Sequence, residues 1–463
     1  MVASKMPGPH KGIPEQTPGK LNLADRLDSA LPVSRLALLK VVAGQAQAIN
    51  LAVYLVGGIV RDLLLGRSGQ DFDVVVEGDA IALAKRLAAE YGGRIVAHSR
   101  FGTATWRFDE ENEAFMRRLG LDAASRHPDL PRSLDLVSAR SETYARPGAL
   151  PTVSFDGLQP DLLRRDFTIN AMALRLDAPH YGELYDDWGG LADLERGLVR
   201  VLHPLSFIDD PTRMYRAVRF EQRFGFQIEP ATLGLLSEAI GYVEKVSGQR
   251  LRHELDLILS EEKAISMLKR LDALSLLRAI HPGLTFSDEI GRRMAGVKES
   301  LPEHRWKLPS QFAHLPSRLA LAYLAWLGDQ PADQSRSVAE RLRLPSAVCE
   351  ALEGIHALQK DLPGLAGKPP SQVVRRLDKV PLLALCAVRY FDLPSDSASL
   401  VPQYLDTWRH IRPTINGDDL VRMGIRPGPV YKKILEGLRA AWLDGKVTSV
   451  EEEQAYLKTL LPG

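Results

Sequence analysis

The stretch "YLVGGIVRDLLLGRSGQDFDVVVEGDA", residues 54–80, decides the fold of the first part of the chain. An apolar run ends at two glycines, a short helical pattern follows, and a second apolar run begins just after Asp71 and Asp73. Apolar runs rich in β-branched residues predict strands, and the glycine pair permits a sharp turn between strand and helix. Because residues i and i+2 of a strand point to the same face, the two carboxylates are expected to project together.

The paired carboxylates indicate a site for a divalent cation. Two carboxylates on one face repel each other unless a positive charge lies between them. Mg²⁺ takes oxygen ligands, commonly one or two carboxylates with substrate phosphates, and two such ions can activate a hydroxyl and stabilise a departing pyrophosphate. Asp71 and Asp73 are therefore predicted to hold metal. The alternative is that both acids lie in the loop before the strand and are only solvated, because D-x-D is common by chance.

The residues upstream of the acids favour a phosphate ligand. Gly58 lets the backbone approach a ligand closely, and Arg61 lies where a helix is expected to begin, so N–H groups and a guanidinium can hold phosphates. Any strand-to-helix turn can use glycines, so a purely structural role stays open. The spacing is neither G-x-G-x-x-G nor that of a lysine-bearing phosphate loop, which excludes those two nucleotide-binding motifs.

The composition is that of a globular protein with several domains. The chain has 463 residues, 45% hydrophobic and 25% charged, and its length predicts about two to four domains. A net charge of +1 means that any basic surface is local, and two distant cysteines predict a reduced compartment without a zinc site. The sequence lacks an apolar run long enough to span a membrane, and residues 1–20 lack the apolar core of a signal peptide. We expect a cytoplasmic protein with a disordered lead-in.

The pattern of apolar residues predicts two kinds of structure along the chain. Residues 23–49 have helical spacing, and from 52 to about 175 short β-type runs surround one helical run, which predicts an α+β unit with a sheet. The charged segment 109–132 has no strand pattern and is expected to be an inserted loop or helix at the rim of the sheet. After residue 205 helical patterns follow one another, interrupted by Pro and Gly. The predicted fold class is therefore a mixed α/β head followed by an elongated helical remainder.

Two further stretches carry candidate site residues. "LDLVSARSE" places Asp135 on a later strand between two leucines, as a third carboxylate or, equally, as a rim residue. "DLLRRDFTINAMAL" contains Arg165, Asp166 and Asn170, and on a helix the last two would share one face. Taken alone, this second stretch is more typical of a surface cluster of ion pairs.

The segment "FIDDPTRMYRAVRFEQRFGF", residues 207–226, predicts a basic helix. Asp210 followed by proline is typical of an N-cap with proline at the first helical position. At 100° per residue, three arginines fall within an arc of about 60–70° beside a fourth; the four are Arg213, Arg216, Arg219 and Arg223. Like charges on one face destabilise an isolated helix, so we expect an anion there, such as a triphosphate or an RNA backbone. A solvated basic stripe is the alternative.

Together these stretches resemble class II tRNA nucleotidyltransferases and the related bacterial poly(A) polymerases, in the nucleotidyltransferase superfamily. The matching text is "LVGGIVRDLLLG", "DFDVVV", "RRDFTINAMA", "YDDWGGLADLERGLVRVL" and "DDPTRMYRAVRFEQRFGF", in the family's order and spacing. The resemblance is strong between residues 50 and 230 and looser towards the C-terminus, where "INGDDLVRMGIRPGPVYKKILEGL" is similar to the family's tail. It implies a seahorse-like head, neck, body and tail. It also implies template-independent transfer of nucleotides from CTP and ATP to the 3′ end of tRNA.

The resemblance implies roles for individual residues. Asp71 and Asp73 match the catalytic, metal-binding pair. Asp135 is not part of that match and is expected, from its strand position, to be an assisting catalytic carboxylate. The positions matching nucleotide contacts are Gly58, Arg61, Arg165, Asp166, Asn170, Arg216 and Arg219. Asp210 and Arg213 match the pair that selects the incoming base. The implied cofactor is Mg²⁺, and the implied partners are tRNA, ATP and CTP, with no membrane partner and the oligomeric state open.

Elementary chemistry agrees with base selection by one acid and one arginine. Cytosine and adenine both present an amino donor beside a ring-nitrogen acceptor, while a carboxylate only accepts and a guanidinium only donates. Asp210 with Arg213 therefore complements C and A, and would meet G and U with like groups facing each other. Each unpaired buried group costs about 1–3 kcal/mol. The family usually has Glu where Asp209 stands, so Asp209 is assigned no role.

Residues 139–153 resemble the flexible loop that helps this family switch from adding C to adding A. Arg140, Glu142, Tyr144 and Arg146 are present, which argues against an enzyme confined to adding CC. "PGALP" and "FEQRFGF" are, by contrast, similar to enzymes that add only the terminal A.

The sequence thus predicts an Mg²⁺-dependent enzyme that adds C, C and A to tRNA by attack of the RNA 3′-hydroxyl on the NTP α-phosphate. Its alternatives are an enzyme that adds only A, a poly(A) polymerase using ATP, or, more remotely, a non-catalytic RNA-binding protein on the same fold. The predicted regions are a lead-in (1–22), a nucleotidyltransferase head (23–175), a neck with the nucleotide-selecting helix (176–245), a helical body (246–365) and a tRNA-binding helical tail (366–463).

Overall fold

A computed structural model describes residues 21–67, 72–108, 113–122, 127–143, 145–146, 148, 151–178, 180–299 and 305–461. The chain divides into two compact units. The first contains Met1–Arg213 and Phe224–Tyr242, and the second contains Met214–Arg223 and Val243–Gly463. Within the described ranges, every helix is too short or too polar to cross a membrane.

The first unit is built on a seven-stranded mixed sheet with the order β3-β4-β5-β2-β1-β8-β9. Its strands are β1 (Ala52–Val56), β2 (Asp73–Glu77), β3 (Arg94–His98), β4 (Thr103–Arg107), β5 (Ser133–Ser138), β8 (Ala173–Arg175) and β9 (Leu184–Tyr185). A separate hairpin pairs β6 (Arg140–Thr143) with β7 (Thr152–Phe155), and β10 (Leu198–Val199) pairs with β11 (Gln227–Ile228). The strands predicted from the β-type runs are all present.

The central strands of this sheet are buried on both sides, because helices cover both of its faces. Val75 belongs to an apolar cluster with Tyr54, Leu158 and Leu162 on one face, while Val74 and Val76 point to the other. The helices of the first unit are α1 (Ala24–Ala30), α2 (Val33–Gln47), α3 (Gly58–Leu64), α4 (Ala80–Tyr91), α5 (Glu113–Arg118), α6 (Leu158–Leu163), α7 (Gly190–Arg196), α8 (Ser206–Asp209) and α10 (Pro230–Ala239). Helix α9 (Arg213–Phe224) has its ends in the first unit and its middle in the second.

Three local expectations need correction. Residues 23–49 form two helices, because Pro32 forces the preceding Leu31 into an extended conformation (ψ 141°). The segment 139–153, expected to be a flexible loop, contains the paired strands β6 and part of β7, while Tyr144 lies outside the described residues. Asn22, placed in the lead-in, forms a β-bridge with Glu183. The insertion 109–132 contains helix α5, as one of the two expected forms.

The second unit is almost entirely helical. Beyond the middle of α9, its helices are α11 (Gly248–Ser260), α12 (Ala264–Ala273), α13 (Leu276–Ile280), α14 (Asp288–Glu299), α15 (Ser317–Leu327), α16 (Ala332–Leu342), α17 (Ser346–Leu365), α18 (Pro370–Leu377), α19 (Leu382–Val388), α20 (Leu400–Asp406), α21 (Gly417–Arg422), α22 (Pro429–Leu443) and α23 (Val450–Leu460). One short hairpin joins β12 (Gln311–Phe312) to β13 (Leu315–Pro316). The predicted fold class, a mixed α/β head and a helical remainder, is confirmed.

Candidate active site

Two carboxylates lie side by side on neighbouring parallel strands of the first unit. Asp73 begins β2 and is the register partner of Asp135 on β5. Register partners point to the same face of a sheet and their strands lie about 4.8 Å apart, so the two side chains stand together. Both are exposed, and the hydroxyl of Thr105 on β4 donates to Asp135 Oδ1 at 2.6 Å. The strand position predicted for Asp135 is confirmed.

These carboxylates have the donor chemistry of a magnesium site. Carboxylate oxygens are hard ligands of the kind that Mg²⁺ prefers, and an exposed pair leaves room for water and phosphate. Among the described residues no group of three or more His, Cys, Asp and Glu side chains is arranged to hold a metal. Asp71, predicted to pair with Asp73, lies outside those residues. Asp73 and Asp135 fit a divalent ion, and the three-carboxylate arrangement stays a prediction.

The glycine turn lies at the same edge of the sheet as Asp73, because β1 and β2 are antiparallel and the end of β1 faces the start of β2. Gly57 has φ +74°, and a side chain there would place its Cβ 2.8 Å from Arg165 Nη1. Gly58, the residue singled out from the sequence, begins α3, where a Cβ would lie 3.4 Å from Arg61 Nη2. The position that requires glycine most strictly is therefore Gly57. It lets the Arg165 guanidinium lie directly on the backbone.

Arg61 lies within α3 as predicted and is only 5% exposed. Its Nε donates to Asp62 Oδ1 at 2.9 Å, and its Nη1 donates to Asn170 Oδ1 at 2.5 Å. Asn170 Nδ2 in turn donates to Asp166 Oδ1 at 2.9 Å. Asp166 and Asn170 do come together, but not on an α-helix: Asp166 precedes a single 3₁₀ turn, Thr168–Asn170. The structure brings Arg61, Asp166 and Asn170 into one hydrogen-bonded group.

An ion-pair network behind Arg165 was missed by the sequence reasoning. The completely buried Asp161 accepts from Arg164 Nε and Nη2 at 2.9 and 2.7 Å through Oδ1, and from Arg165 Nη2 at 3.0 Å through Oδ2. Glu142 of β6 accepts from Arg164 Nη1 at 3.1 Å and from Arg140 Nη2 at 3.0 Å. The signal for Asp161 was its helical spacing, three and four residues before the two arginines.

Asp210 and Arg213 occupy consecutive turns around the start of α9. The helix begins at Arg213, later than the proline pattern predicts, and Asp210, the residue that follows α8, is extended. Asp210 Oδ1 nevertheless accepts from the backbone N–H of Thr212 at 3.0 Å, so the expected capping of the following turn is present. Arg213 is 5% exposed and donates to Ser206 Oγ and to the carbonyl of Arg164, both at 2.6 Å.

Two titratable groups lie close to Arg213. Burial, together with the charge of Arg213, lowers the pKa of His203 from 6.5 to about 4. Burial raises the pKa of Asp209, while the charge of Arg213 acts in the opposite direction. His203 Nε2 lies 4.0 Å from Asp209 Oδ2. The guanidinium of Arg213 therefore lies near the carboxylate of Asp209 and the neutral imidazole of His203, in addition to making its two hydrogen bonds.

The other three arginines of α9 belong to the second unit, and two of them lie near carboxylates there. Arg219 Nη1 lies 3.9 Å from Glu254 Oε2, and Arg223 Nη1 lies 3.5 Å from Glu261 Oε1. Burial lowers the pKa of Arg219, and Glu254 opposes this. The basic helix face thus does not depend on an external anion alone, because the protein supplies part of the compensating charge. The nucleotide contacts predicted for Arg216 and Arg219 stay predictions.

Comparison with known proteins gives matches along most of the chain. The model of the "Poly A polymerase head domain" matches residues 53–200, and that of the "Probable RNA and SrmB- binding site of polymerase A" matches residues 225–287. An A-adding tRNA nucleotidyltransferase of Halalkalibacterium halodurans is 33% identical over 449 residues, which are 94% of this chain and 95% of that protein. One of Geobacter sulfurreducens is 34% identical over 437 residues, 91% of this chain; the match spans 47% of that longer protein.

More distant relatives and solved structures extend this similarity. A CC-adding tRNA nucleotidyltransferase of Deinococcus radiodurans is 28% identical over 409 residues, 88% of this chain and 89% of that protein. A CCA-adding enzyme in its apo form II has a TM-score of 0.77 at 30% identity, with 95% of this chain and 99% of that chain covered. The Thermotoga maritima CCA-adding enzyme complexed with tRNA has a TM-score of 0.72 at 29% identity, covering 96% and 99%. The resemblance stated from the motifs is confirmed: this chain belongs to the tRNA nucleotidyltransferase family, enzymes of the nucleotidyltransferase superfamily.

Proposed function

We propose that the protein transfers the terminal adenosine, as AMP from ATP, to the 3′ end of tRNA that already ends in CC. The observation that carries this proposal is the similarity along nearly the whole chain to an A-adding tRNA nucleotidyltransferase, at 33% identity over 94% of this chain and 95% of that protein. The CC-adding relative of Deinococcus radiodurans is less similar, at 28%. The stretches "FEQRFGF" and "PGALP", which are similar to enzymes that add only the terminal A, also support A addition. On the basis of the proposed tRNA substrate, we also propose that the protein is cytoplasmic.

The proposed reaction joins the 3′-hydroxyl oxygen of the RNA to the α-phosphorus of ATP and releases pyrophosphate. Asp73 and Asp135, with Asp71, would hold Mg²⁺, which supplies Lewis-acid stabilisation of the phosphates and a more acidic hydroxyl. The carboxylates orient the reacting groups at the start of β2. Arg165, lying on the backbone of Gly57, directs a guanidinium at the same edge of the sheet, where the negative charge of a triphosphate would be compensated.

The Arg61–Asn170–Asp166 group, which also lies against the glycine turn, would help to position the nucleotide. Its hydrogen bonds of 2.5 and 2.9 Å hold the 3₁₀ turn against α3, so the groups that meet the ribose and phosphates are preorganised. In this proposal Asp210 accepts the amino group of adenine and Arg213 donates to its ring nitrogen. Arg213 is held in place by Ser206 and by the carbonyl of Arg164. Cytosine has the same donor–acceptor edge, so this pair excludes G and U but does not by itself distinguish A from C.

Full addition of C, C and A is the second candidate. It is supported by the similarity to a CCA-adding enzyme at 30% identity over 95% of this chain, and by the presence of Arg140 and Glu142 in the segment that resembles the switching loop.

A product assay separates the candidates. Purified protein would be given Mg²⁺ with tRNA transcripts ending at the discriminator base, in C or in CC, each with ATP, CTP or both, and the products sequenced. We expect one A added to the CC end and no extension of the two shorter ends. Extension of all three ends to CCA would establish the second candidate, and long A-tails would indicate a poly(A) polymerase. No transfer to any end would refute both.

A further inference from the structure

We propose that Phe224 is a positioning residue of the nucleotide site and acts by holding Arg61 in place. This inference rests on the proposed function, because it concerns the same nucleotide site. Phe224 is the last residue of α9 and belongs to the first unit, as Arg61 does. Its ring lies 4.6 Å from the guanidinium carbon of Arg61 and 5.0 Å from that of Arg67. Two cations thus contact one aromatic ring.

The ring completes a set of restraints on Arg61 that no single hydrogen bond provides. The bonds to Asp62 and Asn170 lie in the plane of the guanidinium and fix two of its edges. A planar group held only at its edges can still tilt about the line of those bonds. The face of Phe224 removes that freedom, and burial of Arg61 to 5% exposure strengthens the attraction between ring and cation. Asn170 and its partner Asp166 are held through the same guanidinium.

The second cation extends the effect to the end of α3. Arg67 is exposed and follows the helix, and its backbone N–H donates to the carbonyl of Asp62 at 2.8 Å. The ring of Phe224 therefore contacts α3 at Arg61 and also contacts Arg67, which follows the helix. One ring thus contacts a side chain inside α3 and another just after its end. This assigns a use to the second phenylalanine of "FEQRFGF".

The contact between Phe224 and Arg61, called the brace below, should affect nucleotide binding more than the chemical step. Arg61, Asn170 and Asp166 are in place before the nucleotide arrives, so losing the brace adds an ordering cost to binding. The reacting carboxylates on β2 and β5 are held by the sheet and do not depend on the ring. We therefore expect a change in KM for ATP with kcat nearly unaffected.

The test compares Phe224→Leu, which keeps an apolar side chain without an aromatic face, with Phe224→Tyr, which keeps the face. Phe226→Leu is the matched control: its ring lies 5.4 Å from that of Phe224 and packs near Gly197. For each variant, kcat and KM for ATP are measured at saturating tRNA, with the thermal unfolding midpoint as a check on folding. We expect Phe224→Leu to raise KM for ATP about tenfold with kcat within about twofold, and Phe224→Tyr to stay within about twofold of the wild type.

Three results would overturn the inference: an unchanged KM in Phe224→Leu, an equal rise in Phe224→Tyr, or an equal rise in Phe226→Leu. If Phe224→Leu fails to fold, Arg67→Gln carries the test, because that exposed side chain can be removed without opening the core. It should raise KM about two- to threefold, and no rise would count against the brace. A wild type inactive on every tRNA end would refute the proposed function. An active wild type with a normal KM in Phe224→Leu would refute the brace alone.

Discussion

Replacing the buried Asp161 by asparagine should destabilise the first unit severely. The Asp161 carboxylate is completely buried and accepts three hydrogen bonds of 2.7–3.0 Å from Arg164 and Arg165. Asparagine has nearly the same size but lacks the charge, and whichever way its amide turns, an N–H group faces an arginine N–H. Removing one partner of a buried ion pair costs about 3–5 kcal/mol, and since asparagine keeps one acceptor we expect about 3 kcal/mol.

Calorimetry of the wild type, Asp161→Asn and the exposed control Asp187→Asn measures this effect. For a unit of roughly 200 residues, about 3 kcal/mol corresponds to a fall in Tm of about 6–12 °C. The control should stay within about 2 °C of the wild type, because it removes an exposed carboxylate. KM for ATP should also rise, since Arg165 loses the carboxylate that holds it over Gly57. A Tm of Asp161→Asn equal to that of the control would refute the idea that this carboxylate organises the two arginines.

Three further outcomes are expected. Asp73→Ala, like Asp71→Ala, should lower transfer at least about 10³-fold while tRNA affinity in a gel-shift assay changes little; unchanged transfer would remove the metal-site proposal. Arg213→Ala should raise misincorporation of G and U about 5- to 150-fold in single-nucleotide assays, from about 1–3 kcal/mol per unpaired group, and strict selection in that variant would place base selection elsewhere. The folded pKa of His203 is about 4, below the ordinary 6.5, so the unfolded chain binds this proton first and stability is lost as the pH falls from 6.5 to 4. Urea denaturation across this range should show that His203→Gln loses less free energy of unfolding than the wild type, by up to about 3 kcal/mol. The control His410→Gln, at an exposed histidine, should lose as much as the wild type. An equal loss in His203→Gln and the wild type would contradict the lowered pKa.

The sequence predicted the fold class and the placement of most strands because those properties depend on short-range patterns. The run of valines after Asp73 and the alternation of apolar and polar residues around Asp135 are patterns typical of strands. Helix α4 likewise has a regular apolar face, with Asp79 as its N-cap. Where local signals competed, the predictions were wrong in detail. Leu31 and Pro32 divide one expected helix into two, and α9 begins at Arg213 although Asp210 and Pro211 are typical of an earlier start.

The family and the candidate residues also came from the sequence, since motifs carry residue identity and order. Three contacts were visible only in the tertiary structure. Asp73 and Asp135 are register partners on parallel strands, and the Arg165 guanidinium lies against the backbone of Gly57. The third contact is between the ring of Phe224 and the guanidinium of Arg61. Phe224 and Arg61 are far apart in the chain, so no spacing rule relates them. The sequence determines which groups are available, but the contact between distant groups is set by how strands and helices pack, because burial and hydrogen bonding depend on neighbours that the fold brings together.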